Sequence, residues 1–120
     1  MKLTQKQAIE AYKTVRKLEY QDMPGDKAMV MFRMRKALEP QYQFQDEQER
    51  KALETLGANI RQDGGIEFKD VESKNRYIQK LDEIGKLEVE IQWEKEELEI
   101  HGLTLNAIDI AALEPIVEIV

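Results

Sequence analysis

The stretch from Gly25 to Gly57 constrains the fold more than any other, because it reads as one long amphipathic helix or a helix broken once. Met31, Met34, Leu38 and Tyr42 follow one another at steps of three, four and four, which stacks them on a single helical face. The stripe continues through Gln45 and Glu49 to Ala52 and Leu56, so its middle is polar. Residues 45–51 are all polar or charged, and that segment must project into water or lie over a thin part of the fold. Pro40 lies inside the pattern, where its ring meets the carbonyl of Lys36 and one backbone hydrogen bond is lost. This predicts a kink near Pro40, or two helices meeting end to end. Gly57 is the expected C-cap, since glycine accepts the left-handed backbone that closes a helix.

The other elements are shorter. Thr4 and Gln7 form a capping box ahead of a helix whose buried stripe is Ala8, Ala11, Tyr12, Val15 and Leu18. Pro24 and Gly25 close that helix, so the chain turns back into the long one as an antiparallel helical pair. Asp63-Gly64-Gly65, between Ile60 and Ile66, is a turn signal. Asp70 caps a third helix in which Tyr77 or Ile78, Leu81 and Ile84 face inward, and Gly85 ends it. From Leu87 the apolar period drops to two: Leu87, Val89, Ile91 and Trp93 alternate with Glu88, Glu90 and Gln92. Leu98 and Ile100 resume the alternation after Glu94–Glu97, which predicts a small antiparallel hairpin with Trp93 anchoring it to the helices. Thr104 caps a short C-terminal helix stopped by Pro115, and the apolar tail 116–120 must dock or form an interface. The expected fold is one domain, residues 1–120, of α+β class and mostly helical.

Charge is uneven along the chain. Its formal net value is −6, and residues 82–99 hold eight acids against two lysines, which equals the whole excess. Residues 1–36 hold nine lysines and arginines against four acids. Nonspecific nucleic-acid binding needs a larger basic excess, so nucleic acid is not an expected partner. The chain has no cysteine, which excludes disulfides, thiolate catalysis and thiolate-bound zinc. His101 is the sole histidine and cannot make a histidine-paired metal site. The opening residues lack an apolar segment of signal-peptide length and nothing downstream could span a bilayer, so the expected location is the cytoplasm.

Two groups of residues are candidate partner-binding surfaces. Glu88, Glu90, Glu94, Glu96 and Glu97 would crowd the outer face and turn of the hairpin, a carboxylate cluster suited to a cationic partner. Met29 and Phe32 point partly away from the main stripe in a methionine-rich segment, and methionine adapts readily to a partner surface. Exposed carboxylates keep ordinary pKa values, so no general acid or base, metal site or cofactor site is expected.

The opening Met1-Lys2-Leu3-Thr4 with Gln7-Ala8 and Ala11-Tyr12 resembles small proteins of tailed phages and prophages of Gram-positive bacteria. The glutamate-alternating Leu87–Ile91 and the closing Leu103-Thr104 with Ala112–Ile116 resemble the same family, although Leu105 stands where the family often has proline. The resemblance implies a phage origin for a family without assigned function, and it carries over no functional residue. The expected role is a non-enzymatic interaction protein acting on a host or phage protein. The alternative is a structural or assembly component of the phage particle. Self-association, most simply as a dimer through the central helix or the C-terminal segment, is expected from the length of the apolar stripe and the apolar tail.

Overall fold

A computed structural model describes all 120 residues. Strand β1 (Lys2–Thr4) leads directly into helix α1 (Gln5–Leu18), and a turn returns the chain into helix α2 (Gly25–Thr55). The capping box forms as expected: the Gln7 amide donates to Thr4 Oγ1 at 3.1 Å, and the Thr4 amide to Gln7 Oε1 at 2.9 Å. Contacts run in opposite order along the two helices, so the pair is antiparallel. Gln5 reaches Gln41 and Gln45, the Tyr12 and Tyr42 rings stack with centroids 4.5 Å apart, and Glu19 grips Arg35.

The α1 stripe lies wholly inside, and Met31, Met34 and Leu38 of α2 close over it. Gln5 is the polar exception in this layer. Its amide group donates to the Gln41 carbonyl at 2.8 Å and to Gln45 Oε1 at 3.2 Å, while its own Oε1 is buried without a donor. Helix α2 runs unbroken through Pro40, so the chain does not divide into two helices there. Pro40 is on the exposed face, where water can satisfy the carbonyl that its ring leaves without a partner. At 31 residues α2 is about 46 Å long, which accounts for the 48 Å length of the molecule. Its end is a Schellman motif: Gly57 has φ +66, the Ala58 amide donates to the Leu53 carbonyl at 3.0 Å and the Gly57 amide to that of Glu54 at 3.1 Å.

Strands β2 (Asn59–Ile60) and β3 (Ile66–Glu67) form a minimal antiparallel hairpin around Asp63–Gly65, as the turn signal predicted. Helix α3 (Val71–Gly85) starts at Asp70, whose carboxylate accepts from the Ser73 amide at 2.7 Å. It buries Tyr77 and Ile84 and leaves Ile78 outside, which decides between the two registers that the sequence allowed.

The expected hairpin between residues 87 and 100 does not form. Strand β4 (Glu88–Glu90) pairs antiparallel with β1, and strand β5 (Glu96–Leu98) pairs parallel with β6 (Val117–Ile119). Alternation in a sequence marks the faces of a strand but not its partner. The actual partners are the residues before the first helix cap and the apolar tail. That tail is therefore docked, with Ile116 and Val117 buried. Trp93 lies beyond β4 and is only half-buried, so its anchoring role is carried less by burial than by Nε1 donating to the Ile116 carbonyl at 2.8 Å. Helix α4 (Ala107–Leu113) is capped by Asn106 and not by Thr104. Asn106 and Asp109 form a reciprocal box, whereas the Thr104 backbone is engaged by the Gln21 side chain through both its amide and its carbonyl. Asp109 also receives Lys17 Nζ at 2.8 Å on each oxygen, tying α4 to α1.

One main core thus joins β1, α1, the first half of α2, the segments around β4 and β5, and the C-terminal residues. The second half of α2 extends beyond it and carries β2, β3 and α3, where Leu53, Tyr77 and Ile84 are the buried apolar residues. Two substitutions separate apolar from polar contributions to the main core. Leu38→Ala should cost about 2–5 kcal/mol. Gln5→Met should cost less, about 2 kcal/mol at most, because the two hydrogen bonds it removes are offset by removal of a buried acceptor that has no partner. Urea unfolding followed by circular dichroism measures both.

Candidate interaction site

The candidate carboxylates fall on separate elements. Glu88 and Glu90 lie on exposed positions of β4, opposite Thr4 and Lys2 of β1. Glu90 also accepts from the Met1 amine at 3.1 Å. Glu94 is exposed in the segment between β4 and β5. Glu96 is held at the surface by Arg33 in a two-pronged pair, 2.6 Å and 3.2 Å, so its charge is already partnered within the chain. Glu97 points the opposite way on β5. The five carboxylates are therefore not the outer face and turn of one hairpin. The reason is topological: β4 and β5 pair with different strands and never lie side by side.

A different carboxylate group takes their place. The register of β5 and β6 puts Glu97 opposite Glu118, both exposed, with Glu99 two residues on from Glu97. None of the three enters an ion pair, and like charges facing across strands repel. Glu118 was invisible as a member of this group because only the parallel pairing of the tail brings it there.

Met29 and Phe32 stand where the helical period placed them, on the outside of α2, 56% and 46% exposed. Met31 and Met34, from the same segment, are core residues. Beside Phe32 a groove of about 480 Å³ runs between α2 and residues 92–96. Arg33, Lys36 and Ala37 form one wall, and Gln92, Trp93 and Glu94 the other. Two guanidinium groups lie against aromatic rings here. Arg33 Cζ is 5.8 Å from the Trp93 ring centroid, and Arg35 Cζ is 5.3 Å from that of Phe32. Trp93 and Arg33 were not legible as a site, because the groove joins residues sixty positions apart.

No family model, curated protein or solved structure matches this chain. The geometry of its surfaces is therefore the basis for any functional reading. No helix is long and apolar enough to cross a membrane. The histidine and carboxylates bring no group of three together that could hold a metal ion, and His101 is exposed, contributing its carbonyl to Lys27.

A second cleft, of about 590 Å³, separates α1 from α3 over the middle of α2. Lys6, Ile9 and Lys13 line it from α1, Gln45 from α2, and Leu81 and Gly85 from α3. The two outer helices touch at one end, where a Cβ on Gly85 would sit 3.4 Å from that of Lys6. Glu49 of α2 lies within electrostatic reach of Lys13 of α1 and Tyr77 of α3. Burial pushes its carboxyl above the ordinary value of 4.5, Lys13 pulls it back and Asp46 adds to the rise. A folded-state value raised above the unfolded one means that ionisation works against folding. The stability held below about pH 4.5 is lost as pH rises through the folded value. Glu49→Gln should therefore raise the thermal midpoint at pH 7 and leave it nearly unchanged at pH 4. An equal gain at both pH values would assign the effect to packing.

Proposed function

We propose that this chain is a non-enzymatic protein-interaction protein whose contact surface is the groove between α2 and residues 92–96. The observation that carries this reading is the grouping of Phe32, Arg33 and Trp93 at one exposed groove, with the exposed Met29 three residues before Phe32 on α2. Aromatic residues, methionine and arginine are the types enriched where partner proteins bind, and a few such anchors supply most of the binding free energy. Phe32 and Met29 each leave about half of their apolar surface exposed, although Arg35 covers one part of the Phe32 ring. The half-buried Trp93 and Arg33, from opposite walls of the groove, give a partner side chain an aromatic ring and a guanidinium to pack on. The resemblance of the chain ends to phage proteins puts that partner, on this reading, among host or phage proteins.

A second reading keeps the carboxylates as the contact surface, in the form of Glu97, Glu99 and Glu118, and a cationic partner. The uncompensated pair across β5 and β6 favours it, since a basic surface would relieve the repulsion. A virion structural or assembly role would use the same two surfaces.

The two readings separate in one capture experiment with the tagged protein, run in the cells that express it and followed by mass spectrometry. Replacing Met29 and Phe32 together by serine should abolish the partner's recovery. Replacing Glu97 and Glu118 together by lysine should reduce it only at low salt, through slower association. The reverse pattern would transfer the function to the carboxylate face.

A further inference from the structure

We infer that α3 is a homodimerisation helix that pairs antiparallel with α3 of a second copy, across a two-fold axis at Ile78. The surface is distinct from the groove of the proposed function. It also differs from the central helix and the C-terminal segment, the two surfaces from which the sequence suggested self-association. Both of those are largely used within the chain: α2 packs on α1 through Met31, Met34 and Leu38, and the tail is strand β6.

The flank of α3 has no such cover at Val71, Lys74 and Ile78, while Gly85 at its far end lies against Lys6 of α1. Val71, Lys74, Ile78, Asp82 and Gly85 follow at steps of three, four, four and three, which sets them on one stripe beside the buried Tyr77 and Ile84. Val71 is 74% exposed and Ile78 55%, although both are β-branched apolar residues in a helix.

The stripe is self-complementary in charge. Lys74 stands four residues before Ile78 and Asp82 four residues after it. A two-fold axis through Ile78 therefore sets Lys74 of each copy against Asp82 of the other, with the two Ile78 side chains in contact at the centre. This is the condition for an isologous interface, in which one patch meets itself. Asp82 already binds Lys86 at 2.9 Å through Oδ2, but that pair is exposed and spans one helical turn, so it is weak and leaves Oδ1 free. The same operation lays Val71 of one copy at the level of Gly85 of the other. Gly85 itself lies against Lys6 of α1, and the open space at that level is the adjoining cleft lined by Ile9 and Leu81. A parallel arrangement would instead oppose lysine to lysine and aspartate to aspartate. The charges thus select the antiparallel one.

A seam made by one 15-residue helix is about 22 Å long. That is at the small end of specific interfaces, so the dimer should dissociate with a Kd on the order of micromolar to tens of micromolar. Sedimentation of the full chain from low to high micromolar concentration should show a reversible monomer–dimer equilibrium. Lys74→Asp and Asp82→Lys should each weaken it about tenfold or more, since each creates two like-charge contacts per dimer. Mixing the two variants in equal amounts should restore dimer, because every contact then pairs opposite charges. Ile78→Lys should leave a monomer whose circular dichroism matches that of the parent. A parent that stays monomeric throughout would overturn the inference. So would a dimer that ignores the single reversals, or single variants that fail to rescue one another.

Discussion

Packing of the first half of α2 on α1 is the contact on which the rest of the molecule depends. Ala8 and Ala11 let α2 approach closely, and Met31, Met34 and Leu38 fill the space between them and Val15 and Leu18. The flexible thioethers fit an interface that also has to receive strand residues Leu3 and Leu98 and the C-terminal Leu113, Ile116 and Val117. Each two-stranded sheet is too small to be stable by itself, so β1–β4 and β5–β6 exist because this helical pair offers them an apolar floor.

The asymmetry of charge along the chain is largely resolved by the same contact. The basic N-terminal third and the acidic segment 82–99 are brought together when β1 pairs with β4, setting Lys2 opposite Glu90, and when Arg33 of α2 clasps Glu96 of β5. Exposed pairs of this kind add little stability individually. Their effect is on specificity, since swapping β4 with a strand from the same acidic segment, as in the expected hairpin, would have set glutamates against glutamates. Glu88 and Glu94 stay unpaired along the segment, and Glu97 and Glu99 are joined by Glu118 on the outer face of β5 and β6. There the net negative charge keeps two strand edges from joining other chains.

Beyond the core, the second half of α2 behaves as an arm. Its polar run, Gln45 to Lys51, carries pairs between Asp46 and Arg50 and between Glu47 and Lys51, which suit a helix in water. Leu53 and Tyr77, with Phe68 stacked obliquely on the tyrosine at 5.4 Å, hold α3 to this arm. So thin a contact leaves Val71 and Ile78 of α3 exposed and a cleft open beside α1.

Properties carried by neighbours in the chain were legible from residue order alone. The Thr4–Gln7 box, the Asp70 cap, the Gly57 terminus and the inward stripe of α1 depend on spacings of three or four residues, where backbone geometry leaves few alternatives. The exposure of Met29 and Phe32 followed from the same period. Strand partners, the choice of Asn106 over Thr104 as a cap and the dispersal of the five glutamates were settled only in three dimensions. A strand records which way its side chains point but not which distant segment supplies its hydrogen bonds. Thr104 and Asn106 are both competent caps until Gln21 takes the backbone of one of them. Trp93 meets Arg33, and Glu118 meets Glu97, only because the helical pair folds the two ends of the chain onto one floor. Long-range pairings of that kind depend on the summed burial of residues scattered across the chain, and no local pattern encodes the sum.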